Sequence, residues 1–225
     1  MKAPNSKAKR PLAPPDLPAN LATPLFPVCE LSAGLQLSEV ALNDLEGAGQ
    51  TAENVFFDAV LLERANLSGA MLKRLRLRDV RFLRSNLSNV SCAAAAFERV
   101  EFLEGRLTGF KLAEAKLSDV RFRGCKLDLA QFRLATLRDV RFEDCILREA
   151  DFQGANLKGV SFRGSDLQGA NFTGAKLEQA DFRGVRLDGL VLRPADLKGM
   201  IIDSGQAMEL ATSFAEFLGM TVADR

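Results

Sequence analysis

No histidine, tryptophan or tyrosine occurs among the 225 residues. Without histidine there is no Ser–His or Cys–His dyad, and the commonest general base and metal ligand is missing. Cysteine is sparse, and Cys29, Cys92, Cys125 and Cys145 match no zinc spacing. They read as small apolar residues, with Cys125 and Cys145 stacked if a coil holds four units of five. A disulfide between them is out of keeping with a cytosolic chain. Neither G-x-x-x-x-G-K-[ST] nor G-x-G-x-x-G is present, so no phosphate-cradling loop is expected. No apolar run of about 18 residues exists, which argues against a transmembrane helix. The start, Met-Lys-Ala-Pro-Asn-Ser, leads into no signal-peptide core, so the expected compartment is the cytoplasm. Excess charge of either sign is also missing. The net charge is +1, with +2 carried by residues 1–30 and −1 by the rest, so long-range attraction to polyanions or polycations is weak. These absences argue against an enzyme, a cofactor, a metal site and a direct nucleic-acid partner.

What is present is a beat of five. From Phe57 to Ile202 every fifth residue is Leu, Phe, Ile or Cys, giving 30 consecutive units without a slip in phase. A small or apolar residue stands two before nearly every anchor. A period of five fits neither an amphipathic helix nor an ordinary strand, and fixed self-similarity marks a repeat architecture. A second period supports four units per coil. Anchors four units apart give one column of Leu62, Phe82, Phe102, Phe122, Phe142, Phe162, Phe182 and Ile202, and a second of Leu67, Leu87, Leu107, Leu127, Leu147, Leu167 and Leu187. Coils spaced like paired strands, ~4.8 Å apart, bring such columns into stacks, and seven and a half coils make a body roughly 35 Å long. The second residue after each anchor falls where a type II turn needs positive φ. Glycine is frequent there from Gly154 onward, whereas Arg74, Asp79, Arg84, Arg99, Glu104 and Asp119 hold it earlier, so type II turns are expected to increase toward the C-terminus.

The clearest units, Ala65-Asn66-Leu67-Ser68-Gly69, Ala155-Asn156-Leu157-Lys158-Gly159 and Ala170-Asn171-Phe172-Thr173-Gly174, resemble the A(D/N)LXX unit of the pentapeptide-repeat family. The resemblance implies an all-β fold, a right-handed quadrilateral parallel β-helix with anchors and small residues inward. Four segments follow. Residues 1–28 hold seven of the eight prolines and form a disordered basic tail; 29–56 form an N-terminal cap or degenerate coil, in which Gly47 and Ala52 interrupt the anchors. Residues 57–203 are the β-helix. In 204–225 the beat is lost, Met208, Leu210, Ala211, Phe214, Phe217 and Leu218 take helical spacing, and Asp203 or Ser204 is placed to cap the helix.

A rod without a pocket offers its faces and ends, and the expected function is a non-catalytic protein-binding scaffold with an unidentified protein partner. Outward Leu83 and Leu103 are four units apart, Leu129 and Ile146 share a face, and these four are candidate contact residues. The helix residues Leu210, Phe214, Phe217 and Leu218 are candidates for capping the last coil or pairing two copies into a homodimer. Some members of the resembled family protect DNA gyrase by presenting an acidic, duplex-like rod, which makes gyrase the alternative partner. Against it, this body is near neutral and lacks the looped insertions of the quinolone-protection members. The face beside the phenylalanine column mixes Arg64, Arg81, Arg121 and Arg141 with Glu63, Glu101, Glu143 and Asp181. A duplex carries one charge per about 1.7 Å of axis, so a balanced face imitates it poorly.

Overall fold

A computed structural model describes residues 11–23, 30–217 and 219–221, apart from the helix side chains at 212–214, 216 and 217. The chain winds as a parallel β-solenoid. In order it forms β1 (Gln36–Ser38), β2 (Ala41–Asn43), β3 (Thr51–Glu53), β4 (Phe56–Glu63), β5 (Met71–Lys73), β6 (Arg76–Leu83), β7 (Ala96–Leu103), β8 (Lys116–Arg123), β9 (Thr136–Glu143), a 3₁₀ turn at Pro194–Leu197 and α1 (Ser204–Phe217). Register is constant. Gln36 pairs with Phe56, Phe56 with Arg76, Arg76 with Ala96 and Asp181 with Ile201, always four units on. The ladder therefore starts inside the segment expected as a cap or degenerate coil. Gly47 and Ala52 occupy anchor slots there, and Leu31 packs into the room that Gly47 leaves.

The coil closes on itself because it turns a corner at every unit. Each corner residue, second after the anchor, has positive φ from Gly34 to Gly199, with Pro194 the one exception in that series. Proline is locked near about −65°, and here the corner is replaced by the 3₁₀ turn. Positive φ at the corner is thus independent of glycine, while hydrogen-bonded turns do become regular toward the C-terminus, as the glycines lead one to expect. Arg74, Asp79, Arg84, Arg99, Glu104 and Asp119 adopt φ between 49° and 55°, just as the glycines adopt 62–87°. What changes along the rod is the ladder. Through Glu143 one flank carries long strands, and beyond it the chain pairs by single bridges between hydrogen-bonded turns such as Phe152–Ala155 and Leu157–Val160. The Asp or Asn before each anchor serves these turns, as Asp151 accepts from the Gln153 N–H at 2.9 Å and Asn171 from the Thr173 N–H at 3.0 Å.

Inward side chains stack by column. Phe82, Phe102, Phe122, Phe142 and Phe162 lie with centroids 4.8–5.2 Å apart and planes within 6°. A second stack, Phe132, Phe152 and Phe172, meets the first nearly edge-on, 82° between Phe142 and Phe152. Offset and edge-to-face contacts add roughly 0.5–1.5 kcal/mol per pair to burial. Val60, Val80, Val100, Val120, Val140 and Val160 fill the small slots two before the anchors of the first stack and are fully buried.

Part of the ladder is covered at each end. At the first coil the Ala22 N–H donates to Glu39 O and the Ala41 N–H to Ala22 O, both at 2.9 Å, so residue 22 acts as a short edge strand. At the last coil, Asp203 Oδ1 accepts from the Gln206 N–H at 3.0 Å, while Gln206 Oε1 accepts from the Asp203 N–H at 2.8 Å. This is a capping box that starts α1 on Asp203 rather than Ser204. Buried Gln206 then donates through Nε2 to Val185 O at 2.6 Å and Phe182 O at 2.7 Å. In lower coils the carbonyl at the Val185 position takes a backbone N–H from the coil above, as Cys125 O does from Ile146. Here the glutamine amide stands in for that missing N–H. Replacing Gln206 with Ala is expected to cost about 1–3 kcal/mol in urea unfolding, the penalty for an unsatisfied buried carbonyl. Gln206→Glu keeps the acceptor for the Asp203 N–H but lacks the donor, and should not recover that loss.

Candidate interaction surfaces

Outward side chains also stand in columns, one residue per coil, and several columns place opposite charges on successive coils. Arg64 bridges to Asp44 at 2.8 Å, Lys73 to Glu53 at 3.0 Å, and Arg78 to Asp58, each across one coil. The most enclosed group is Glu101, 4% exposed, held between Arg81 at 2.8 Å and Arg121 at 3.1 Å. Arg121 Nε also lies 3.6 Å from Glu143. The exposed pairs contribute little each, about 0–1 kcal/mol. Their consequence is that the rod neutralises its own charge locally as well as in total. An open groove of about 630 Å³ runs along the face of the Leu77, Phe97 and Leu117 anchors, flanked by Arg76 and Lys116 on one rim and Arg78 and Arg138 on the other.

Leu83 and Leu103 are register partners and both half-buried, so they are neighbours on one flank. Leu129 sits at a corner, 52% exposed, and its N–H donates to Arg148 O in the coil that carries half-buried Ile146. Leu134, on the next corner of the same coil, is 63% exposed and is missed by reading the sequence. Its signal is there nonetheless: leucine in a slot otherwise filled by glycine, small, polar or charged residues. In α1, Leu210 is half-buried and Met208 is 77% exposed. The Phe214 and Phe217 side chains and Leu218 lie outside the described residues. Cys92, Cys125 and Cys145 are buried free thiols, and Cys29 lies outside the described residues. The Cys125 thiol donates to Phe102 O at 3.3 Å and the Cys145 thiol to Phe122 O at 3.4 Å. Burial pushes the Cys92 thiol up, and hydrogen bonding to Cys125 together with burial does the same to Cys145. Among the described residues, no cluster of three or more acidic or cysteine side chains is placed to hold a metal ion. No described helix is long and apolar enough to cross a membrane.

Comparison with known proteins agrees with this geometry. The pentapeptide repeat region model matches residues 55–132, 95–172, 115–192 and 135–211, together well over half of the chain. The chain belongs to the pentapeptide-repeat family. Among solved structures, a trypsin-treated variant of QnrB1, a plasmid-mediated fluoroquinolone resistance protein, is 21% identical, with 87% of this chain and 98% of that chain covered and a TM-score of 0.46. HetL, a pentapeptide-repeat protein involved in heterocyst differentiation regulation in the cyanobacterium Nostoc, is 22% identical over 77% of this chain and 91% of its own, with a TM-score of 0.35. Rfr23 from the cyanobacterium Cyanothece is 20% identical over 76% and 90%, with a TM-score of 0.22. No curated protein sequence matches the chain.

One surface of this pentapeptide-repeat rod is already occupied. Of the segment expected as a free tail, residues 1–10 and 24–28 fall outside the described part, while 11–23 lie along the solenoid. The Ala13 N–H donates to Asp119 Oδ1 at 3.2 Å and the Asp16 N–H to Asp79 Oδ1 at 2.8 Å, and Pro15 is buried. Asp79 is also gripped by Arg99 at 2.6 and 2.7 Å. Burial pushes the Asp79 carboxyl up, but the hydrogen bonds from Arg99 and the Asp16 N–H, with the charges of Arg99 and Arg78, leave it below its ordinary value. The Arg193 guanidinium lowers Asp196, and the N–H groups of Gln206 and Gly184 lower Asp203. A carboxyl lowered in the fold contributes stability above its unfolded pKa and loses it as pH falls through the folded one. Melting temperature should therefore be level from about pH 8 to about pH 5 and fall below about pH 4. The Asp196→Asn variant should show a shallower acid decline than the wild type in the same calorimetric series.

Proposed function

We propose that this protein is a non-catalytic, rigid scaffold that binds another protein through exposed apolar corners of its solenoid. The observation that carries the reading is the pair Leu129 and Leu134. Both hold large apolar side chains in water, and both sit at positive φ, 59° and 57°. A left-handed conformation costs a non-glycine residue roughly 1–2 kcal/mol, and exposure returns no burial. Leucine at two successive corners of one coil therefore works against the stability of the free rod, which supports a role in contact. Half-buried Ile146, beside the coil of Leu129, extends the apolar surface that such a partner could cover, while Leu83 and Leu103 form a separate apolar pair on the opposite flank. Among the described residues the stacked phenylalanines fill the interior, so recognition falls to the outside.

The proposal includes self-association through α1, whose Met208 is exposed and whose apolar residues continue toward the C-terminus. The gyrase reading has less support, since a near-neutral chain with ion pairs across its coils is a poor acidic mimic. Affinity capture from cell extract with the full chain and with its Leu129→Ser/Leu134→Ser variant is the direct test. The variant should lose the captured partner while its unfolding free energy stays within about 0.5 kcal/mol of the wild type. Retained capture would overturn the corner reading. Met208→Asp should lower the sedimenting mass if α1 pairs two copies, and purified gyrase should supercoil DNA, with or without quinolone, unaffected by micromolar protein.

A further inference from the structure

The segment 11–18 and the corner column beneath it fit each other in period. Pro11, Pro14, Pro15 and Pro18 restrict this stretch to extended, polyproline-type backbone. Such a chain rises ~3.1 Å per residue and repeats every three residues, so one turn advances about 9.3 Å. Two coils of the solenoid advance about 9.6 Å. One polyproline turn thus spans two coils, and the contacts obey that match: Ala13 meets Asp119 and Asp16, three positions on, meets Asp79, two coils away. Around these two contacts Leu12 is half-buried and Pro15 buried while Pro11 and Pro14 face solvent, and Pro18 beyond them is exposed. Asp79 and Asp119 are 6% and 8% exposed, and Arg99 between them fixes Asp79 in place.

We infer that this corner column is a docking site for an extended proline-rich segment, occupied in this chain by its own residues 11–18, and that a proline-rich segment of another protein competes for it. The recognition element is a pair of backbone N–H groups one polyproline turn apart, flanked by prolines and presented to two carboxylates. Backbone donors make the site tolerant of side-chain identity, and the preset polyproline conformation reduces the entropy lost on docking. The strap's described bonds to the column are made by those two N–H groups, and a segment pinned at so few points opens more readily than the ladder. Its tether supplies a millimolar effective concentration, so a competitor is suppressed until the strap is weakened. The column lies on the corner diagonally across from Leu129 and next to that of Leu134, so a ligand in the strap site shares a face with Leu134 alone of the two leucine corners.

The test uses the full chain and a fluorescent peptide copying residues 10–20. Ala13→Pro/Asp16→Pro removes both donors, keeps the extended backbone and touches no solenoid residue. By fluorescence anisotropy this variant should bind the peptide at least tenfold more tightly than the wild type, whose site is filled. Adding Asp79→Asn/Asp119→Asn to the donor-less chain should reverse the gain, with the circular dichroism of the solenoid unchanged. In the wild type, the Ala13 and Asp16 amides should exchange more slowly with deuterium than in the Asp79→Asn/Asp119→Asn chain. The inference is overturned if the donor-less variant binds the peptide no better than the wild type.

Discussion

The structure depends on the inter-coil hydrogen bond closing at a register of four units. Each N–H and C=O that points along the rod must meet its counterpart in the next coil, and a slip of one residue would turn every inward side chain outward. The chain meets this demand with a positive φ at each corner, including at non-glycine residues such as Ala59, Arg99 and Leu134. Local conformational cost is accepted at the corners because the ladder and the stacked core together outweigh it. Pro194 shows the limit of that tolerance: where the corner φ is chemically unavailable, the chain substitutes a 3₁₀ turn and loses the regular corner.

Much of this is legible in the sequence because the solenoid maps residue number directly onto position. The beat of five marks the anchors, and its fourfold overtone marks the phenylalanine stack that runs from Phe82 to Phe162. The second stack at Phe132, Phe152 and Phe172 obeys the same period and is equally readable. Corner conformation is less accessible. Glycine frequency follows the gradient in hydrogen-bonded turns, but register fixes the sign of φ whatever residue stands there. The strap illustrates a different limit. Proline content marks a segment that cannot build its own core, and says nothing of whether a neighbouring surface offers a matching period. Gln206 is similarly hidden, because a buried glutamine at a helix start becomes intelligible only when the Val185 carbonyl is seen beside it.

Solenoids carry open edges at both ends, and unpaired strand edges invite association with other chains. Here part of each end is covered, and by different chemistry. A backbone segment around Ala22 pairs with the first coil, while a side-chain amide from Gln206 satisfies two carbonyls of the last. Apart from the Asp203 carboxylate of the capping box, both coverings are made by uncharged donors and acceptors. The surface itself, with cations and anions paired between coils, is left to be distinguished by its apolar corners and by the column that carries the strap.

The four-cornered coil also makes length a discrete variable. Inserting or deleting four units lengthens or shortens the rod by one coil and leaves every outward column in line. A change of one unit keeps the core in phase yet rotates all downstream faces by a quarter turn relative to those upstream. A change that is not a whole number of units breaks the core. Changes in the length of such a chain therefore divide into those that alter reach, those that re-aim one half of the surface against the other, and those that cannot fold as a solenoid.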